Sequence, residues 1–157
     1  MKPKIETIFM DMGNTLLRFH EGPSDDEKEM LGVVEMAKYL SQFSNLAVSP
    51  IELEREFLNP WLSYVTPRRK EHLIEYPIED FLNPFLEKRS IVLTTSQKIE
   101  ALNKQNSIYS KHLVMEEDLC ETLASLKDRG INLGVISNSY NYDETNISHF
   151  EKMGIKK

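Results

Sequence analysis

The chain is poor in cysteine, in basic charge and in long apolar runs, and each scarcity closes off a class of protein. One cysteine, Cys120, cannot form an internal disulfide, so a disulfide-stapled scaffold is excluded. It stands beside Leu119 and Leu123 in a helical pattern, where a buried, inert thiol is expected rather than a nucleophile. Lysine and arginine number 19 against 25 aspartates and glutamates, a net charge of -6, which argues against nucleic acid as the main partner. The only local basic run, Arg68-Arg69-Lys70 between Pro67 and Glu71, reads as a solvated loop. No stretch approaches the roughly 20 apolar residues of a membrane span. After Met1-Lys2-Pro3-Lys4 the apolar run is too short for a signal peptide and is broken by Glu6, so a cytoplasmic protein with no membrane partner is expected. His20, His72, His112 and His149 lack metal-ligand spacing and are expected at the surface or capping helices. The length of 157 residues suits one domain with a sizeable core.

What is present begins with two short apolar segments far apart in the chain. Residues 5–10 (Ile-Glu-Thr-Ile-Phe-Met) read as a strand that ends abruptly in Asp11, with Gly13 and Asn14 turning the chain at once. Residues 131–136 (Ile-Asn-Leu-Gly-Val-Ile) read as a second strand, ending in Ser137-Asn138-Ser139. A buried parallel strand delivers its last residue to the rim of the sheet, where open α/β folds bind ligands. A carboxylate at that rim can attack phosphorus or carbon, hold magnesium, or simply make a turn. Ser137 and Asn138 can stabilise developing negative charge, or satisfy free backbone groups at a strand-to-helix turn.

Between the strands the pattern is helical. Ser24 with Glu27, Ser49 with Glu52 and Thr94 with Gln97 each have capping-box spacing, and Pro50 suits a first helical position. Met30, Val33, Val34, Ala37 and Leu40 recur at helical spacing. So do Ile51, Phe57, Leu58, Trp61 and Leu62 in a second helix, which Pro60 is expected to kink or break. Pro77 suits the start of a third helix, with Pro84 a distortion within it. Trp61, Tyr64, Phe81 and Phe85 are expected in the core of this region. Leu119, Leu123 and Leu126 then share a helical face that Gly130 ends, and Asp143 opens a last short helix closed by Gly154. Two parallel strands need only a dozen or so connecting residues. Over a hundred lie between them here, so most form an inserted helical subdomain. The expected organisation is an α/β core of residues 1–18 and 115–157 with a helical subdomain of residues 19–114.

Asp11-x-Gly13-x-Thr15 after one strand, with Ser137-Asn138 after another, resembles the first two motifs of the haloacid dehalogenase superfamily. The resemblance follows the chain in order through first strand, helical insertion, helix, second strand and last helix. It implies a partial doubly wound, Rossmann-like parallel sheet carrying an all-helical cap; the family's third motif (a lysine) and fourth (an acidic pair), which normally lie further on, have no counterpart in these 157 residues. It implies a magnesium-dependent phosphatase acting on a small anionic metabolite through an aspartyl-phosphate. Asp11 would then be nucleophile and metal ligand, the Gly13 carbonyl a second ligand, and Ser137 and Asn138 the phosphoryl holders, with Thr15 ordering the Asp11 loop. Where many members carry a second aspartate as general acid and base, this chain has Gly13, so slow or absent turnover is expected. Metal-independent displacement of halide from carbon, and a catalytically dead binding module, are the alternatives. Two strands alone leave sheet edges unpaired, which suggests self-association or a complementing chain.

Overall fold

Local sequence signals account for where the elements start and stop. A computed structural model describes residues 5–72, 76–139 and 141–155, with the side chains of 66 and 68–72 excepted. The chain is α/β and mostly helical. Its order is β1 (Thr7–Met10), α1 (Asp25–Leu40), a 3-10 turn (Ser41–Phe43), α2 (Pro50–Leu53), a π-helical turn (Glu54–Leu58), α3 (Asn59–His72), α4 (Glu79–Lys88), α5 (Thr95–Gln105), α6 (Ser107–Lys111), α7 (Leu119–Asp128), β2 (Asn132–Val135) and α8 (Asp143–Lys152). Thr94 and Gln97 make the full reciprocal capping box. Ser24 accepts the Glu27 N–H without the return bond, and the Ser49 hydroxyl makes no cap bond at all. Gly130 and Gly154 take left-handed φ of 74° and 82° after α7 and α8. There the Ile131 and Ile155 N–H groups reach back to the Leu126 and Phe150 carbonyls, closing each helix as a Schellman turn.

Pro60 does not break its helix. The π turn immediately ahead shifts the carbonyls so that the chain passes from α2 through α3 without a gap. Pro84 sits inside α4 without ending it. α3 also runs through Pro67 to His72, so the expected loop at Arg68-Arg69-Lys70 has helical backbone; those side chains, and that of His72, lie outside the described residues.

β1 and β2 are neighbours and parallel, with Thr7 opposite Asn132 and Met10 opposite Val135. They form the two-stranded sheet of the described residues. The expected burial of these strands is not met: Phe9 is 64% exposed and Ile136 61%. No further layer covers that face among the described residues, so alternate strand residues meet solvent.

The core lies elsewhere. α1, α2, α3, α4 and α5 enclose a cluster including Met36, Leu40, Leu53, Phe57, Trp61, Leu82, Phe85 and Leu102. On α1 the buried face is Lys28, Gly32, Val33, Met36, Ala37 and Leu40; Met30 is exposed instead. Gly32 lets α1 and α5 touch, since a Cβ there would lie 2.0 Å from the Gln105 carbonyl oxygen. Phe81 packs against this cluster, while Tyr64 sits at its exposed margin, edge-on to Tyr76. A second, smaller cluster of Met12, Leu16, Leu17 and Leu113 lies under the loop after β1. Cys120 is exposed, correcting the expectation of burial. Leu119, Leu123 and Leu126 are the half-buried face of α7, and a residue one step along a helix is rotated about 100° away from it.

Candidate active site

Parallel pairing places the two strand tips side by side. The Ile136 N–H donates to the Met10 carbonyl at 3.0 Å, so the chain leaves both strands at the same level. Asp11, Gly13, Ser137 and Asn138, together with Phe9, Met10 and Ile136, line one open cavity of about 560 Å³. Residues more than 120 positions apart are thus brought to one rim, as the sequence motifs required. Asp11 and Asn138 are exposed, and Ser137 and Gly13 half-buried. No hydrogen bond or ion pair engages Asp11 among the described residues.

The loop carrying Asp11 is held from below. Leu16 and Leu17 are buried, the Leu16 and Leu17 N–H groups both donate to the Met12 carbonyl, and the Asn14 N–H donates to the Leu17 carbonyl at 2.8 Å. Asn14 adopts φ 57°, a left-handed position that asparagine tolerates. Thr15 is exposed and makes no hydrogen bond among the described residues, so backbone bonds and the two leucines order this loop, not the threonine. At Gly13 nothing lies within 4 Å of where a Cβ would stand.

His20 and Glu21, titratable side chains that follow Gly13 closely in the chain, are engaged by other partners. His20 Nδ1 lies 2.7 Å from Asp25, and Glu21 lies 3.7 Å from Arg18. Lys152 donates to the Ser110 carbonyl, and Asp143 and Glu144 stand in the first turn of α8 as expected for helix charges. Among the described residues no three His, Cys, Asp or Glu side chains gather as a metal cage. The oxygen-bearing side chains that line the cavity are the Asp11 carboxylate, the Ser137 hydroxyl and the Asn138 amide. That set fits magnesium only if water and substrate phosphate oxygens complete the shell, which is how magnesium is usually held.

Two features escaped sequence reasoning. Lys28 is completely buried, its Nζ donating to the Phe19 carbonyl at 2.9 Å and to Asp25 at 3.4 Å, with the Tyr109 ring centroid 5.3 Å away. It pins the segment leading from β1 into α1. Beside it, burial and then the charges of Asp26 and Asp25 push the Glu29 carboxyl up. The second is His149, expected at the surface but 3% exposed. Its Nε2 pairs with Ser110 Oγ at 2.8 Å, its ring meets Phe19 edge-on, and its Nδ1 has no partner among the described residues. Burial, then the Lys152 charge, push its pKa down. The sequence signal for both was a polar residue on the inward face of a helix, a position easily taken for solvent when the packing partner is unknown.

No protein-family model matches the chain, and comparison with curated proteins returns no match. No helix among the described residues is long and apolar enough to cross a membrane.

Proposed function

We propose that the cavity at the two strand tips is a phosphoryl-transfer site of the haloacid dehalogenase kind, hydrolysing a small phosphomonoester slowly. In this reading β1 and β2 are the central pair of a doubly wound sheet, and residues 19–114 are the cap that selects the substrate. The observation that carries it is the shared rim: an unpartnered carboxylate, Asp11, in one cavity with a hydroxyl and an amide, Ser137 and Asn138. Magnesium, when bound by Asp11 and the Gly13 carbonyl, would offset the negative charge of the phosphoryl oxygens.

Asp11 attacks phosphorus in line, forming a carboxylate–phosphorus bond as the ester oxygen departs on the opposite side. The Ser137 hydroxyl and the Asn138 N–H hold a phosphoryl oxygen as charge grows on it. With Gly13 in the acid position, the departing oxygen takes its proton from water in the open cavity. Water then attacks the acyl phosphate, releasing phosphate and restoring the Asp11 carboxylate. Losing a positioned acid and base typically costs about 10²–10⁴-fold in rate, hence slow turnover.

The open space at Gly13 also favours a second reading, a module that binds a phosphorylated ligand without turning it over. Magnesium with beryllofluoride separates the two from a site that does neither: the mimic is expected on Asp11, seen by 19F NMR. A mimic that never occupies Asp11 defeats the phosphoryl-transfer proposal. For turnover, Asp11→Asn is expected to remove magnesium-dependent hydrolysis of p-nitrophenyl phosphate by on the order of 10⁴-fold or more. Unchanged activity would show the nucleophile to be wrong.

A further inference from the structure

The two apolar clusters do not merge, and polar side chains join the regions that hold them. Tyr142 packs its ring against the helical cluster, and its hydroxyl donates to the Glu79 carboxylate in the first turn of α4. The buried Asn106, between α5 and α6, donates from Nδ2 to Asn141 Oδ1 at 3.0 Å and to the Leu102 carbonyl at 2.9 Å. The Asn141 N–H donates to Ser139 Oγ at 3.2 Å, and that hydroxyl donates to Asn146 Oδ1 at 3.1 Å. Ser139 directly follows Ser137-Asn138. A run of directional bonds therefore leads from the helical region to Ser139, the residue that follows the donors at the tip of β2.

We infer that Asn106 and Glu79 are positioning residues, holding Asn141 and Tyr142, and through Asn141 the Ser139 hydroxyl, so that Ser137 and Asn138 stay at the cavity opposite Asp11. What those donors then do rests on the function proposed above; the mechanical link does not. Burial, then the hydrogen bond and charge of Glu79, push the Tyr142 hydroxyl up, so it remains a donor at neutral pH. Hydrogen bonds fix direction as well as distance, and removing the hydroxyl alone leaves the packing of the ring intact. A small misplacement of donors is enough to lose much of their effect on a reacting group.

The test uses the whole chain as wild type, Tyr142→Phe, Asn141→Ala, Glu79→Ala and Glu79→Gln. Amide hydrogen exchange and magnesium-dependent hydrolysis of p-nitrophenyl phosphate are measured on each. Tyr142→Phe, Asn141→Ala and Glu79→Ala are expected to speed exchange, relative to intrinsic rates, at the residue-141 amide that donates to Ser139 Oγ about 3- to 10-fold. Exchange at Leu82 and Leu102 in the helical core should not move. The same variants should lower kcat by a similar factor, with KM within about twofold. Glu79→Gln keeps an acceptor oxygen and is expected to restore both readouts. Unchanged exchange in Tyr142→Phe, or Glu79→Gln as impaired as Glu79→Ala, overturns the inference. If Glu79→Ala fails to fold, Tyr142→Phe against wild type decides it. A wild type without turnover but with the expected exchange pattern removes the proposed chemistry and keeps the positioning role; an active wild type with unchanged exchange does the reverse.

Discussion

Among the described residues, seventeen buried side chains make one cluster in the helical region, whereas the cluster under the strand tips has four. Both regions are rich in apolar residues, yet they use them differently. The helices close on one another, through near contact of α1 and α5 at Gly32 and through buried aromatics such as Phe57, Trp61 and Phe85. An ion network binds α2, the π turn and α4 from outside. Arg89 bonds Glu52 and Glu56, its guanidinium lies 3.8 Å from the Phe85 ring, and Lys88 adds a second bond to Glu56. The strands have no such closure. Their apolar residues stand half-covered, and the candidate site sits on this sparser part. The contrast teaches that the densely packed core and the candidate site are separate here, with the hydrogen bonds of Asn106 to Asn141 and of Tyr142 to Glu79 joining the two regions.

The largest expected effect comes from the space left on the sparse side. A carboxylate placed by Gly13→Asp meets nothing within 4 Å at its Cβ and would supply the missing acid and base. Its kcat for phosphomonoester hydrolysis should rise by about 10²–10⁴-fold. No gain, with the fold intact, would mean that the rim is not arranged for that chemistry.

Stability should divide between the regions next. Leu82→Ala, fully buried among the helices, is expected to lower unfolding free energy by about 2–5 kcal/mol. Phe9→Ala on the open strand face should cost below about 1 kcal/mol, because most of that ring is already in water. Urea titrations of both variants check this, and equal costs would erase the contrast.

The smallest effect concerns His149, where α8 meets α6 and the Phe19 segment. Its pKa is depressed in the folded state, so the unfolded chain takes up the proton first as pH falls. Its contribution to stability is therefore whole above about pH 6.5 and is lost below it, at no more than about 1.4 kcal/mol per pH unit. The urea midpoint at pH 7.5 and at pH 5.5 measures the loss. His149→Gln should flatten that dependence; a dependence that survives it belongs to other groups.

Much of the scaffold was legible because the signals are local. A capping box needs only Thr94 and Gln97 three residues apart, and a Schellman turn needs only Gly130 or Gly154 at a left-handed position. The rim residues were legible as well, because an apolar run ending in Asp11 and another ending in Ser137 mark strand tips whatever lies between. Pro60 misled, since a proline's cost can be absorbed by a neighbouring π turn. Thr15 misled because buried leucines and backbone bonds already held its loop. The end of α4 was hidden because Ser90, not glycine, takes the left-handed position there, at φ 54°.

By itself, then, the sequence determined the element types, several helix starts, the ends at Gly130 and Gly154, and which residues crown the two strands. These depend on backbone preference and hydrogen bonding within a few residues. The tertiary structure alone decided that Asp11 and Ser137 share a cavity, that Lys28 and His149 are buried while Cys120 and Phe9 are not, and that a polar seam joins the two regions. Burial and pairing depend on what another part of the chain presents across space, and no short window of residues contains that partner.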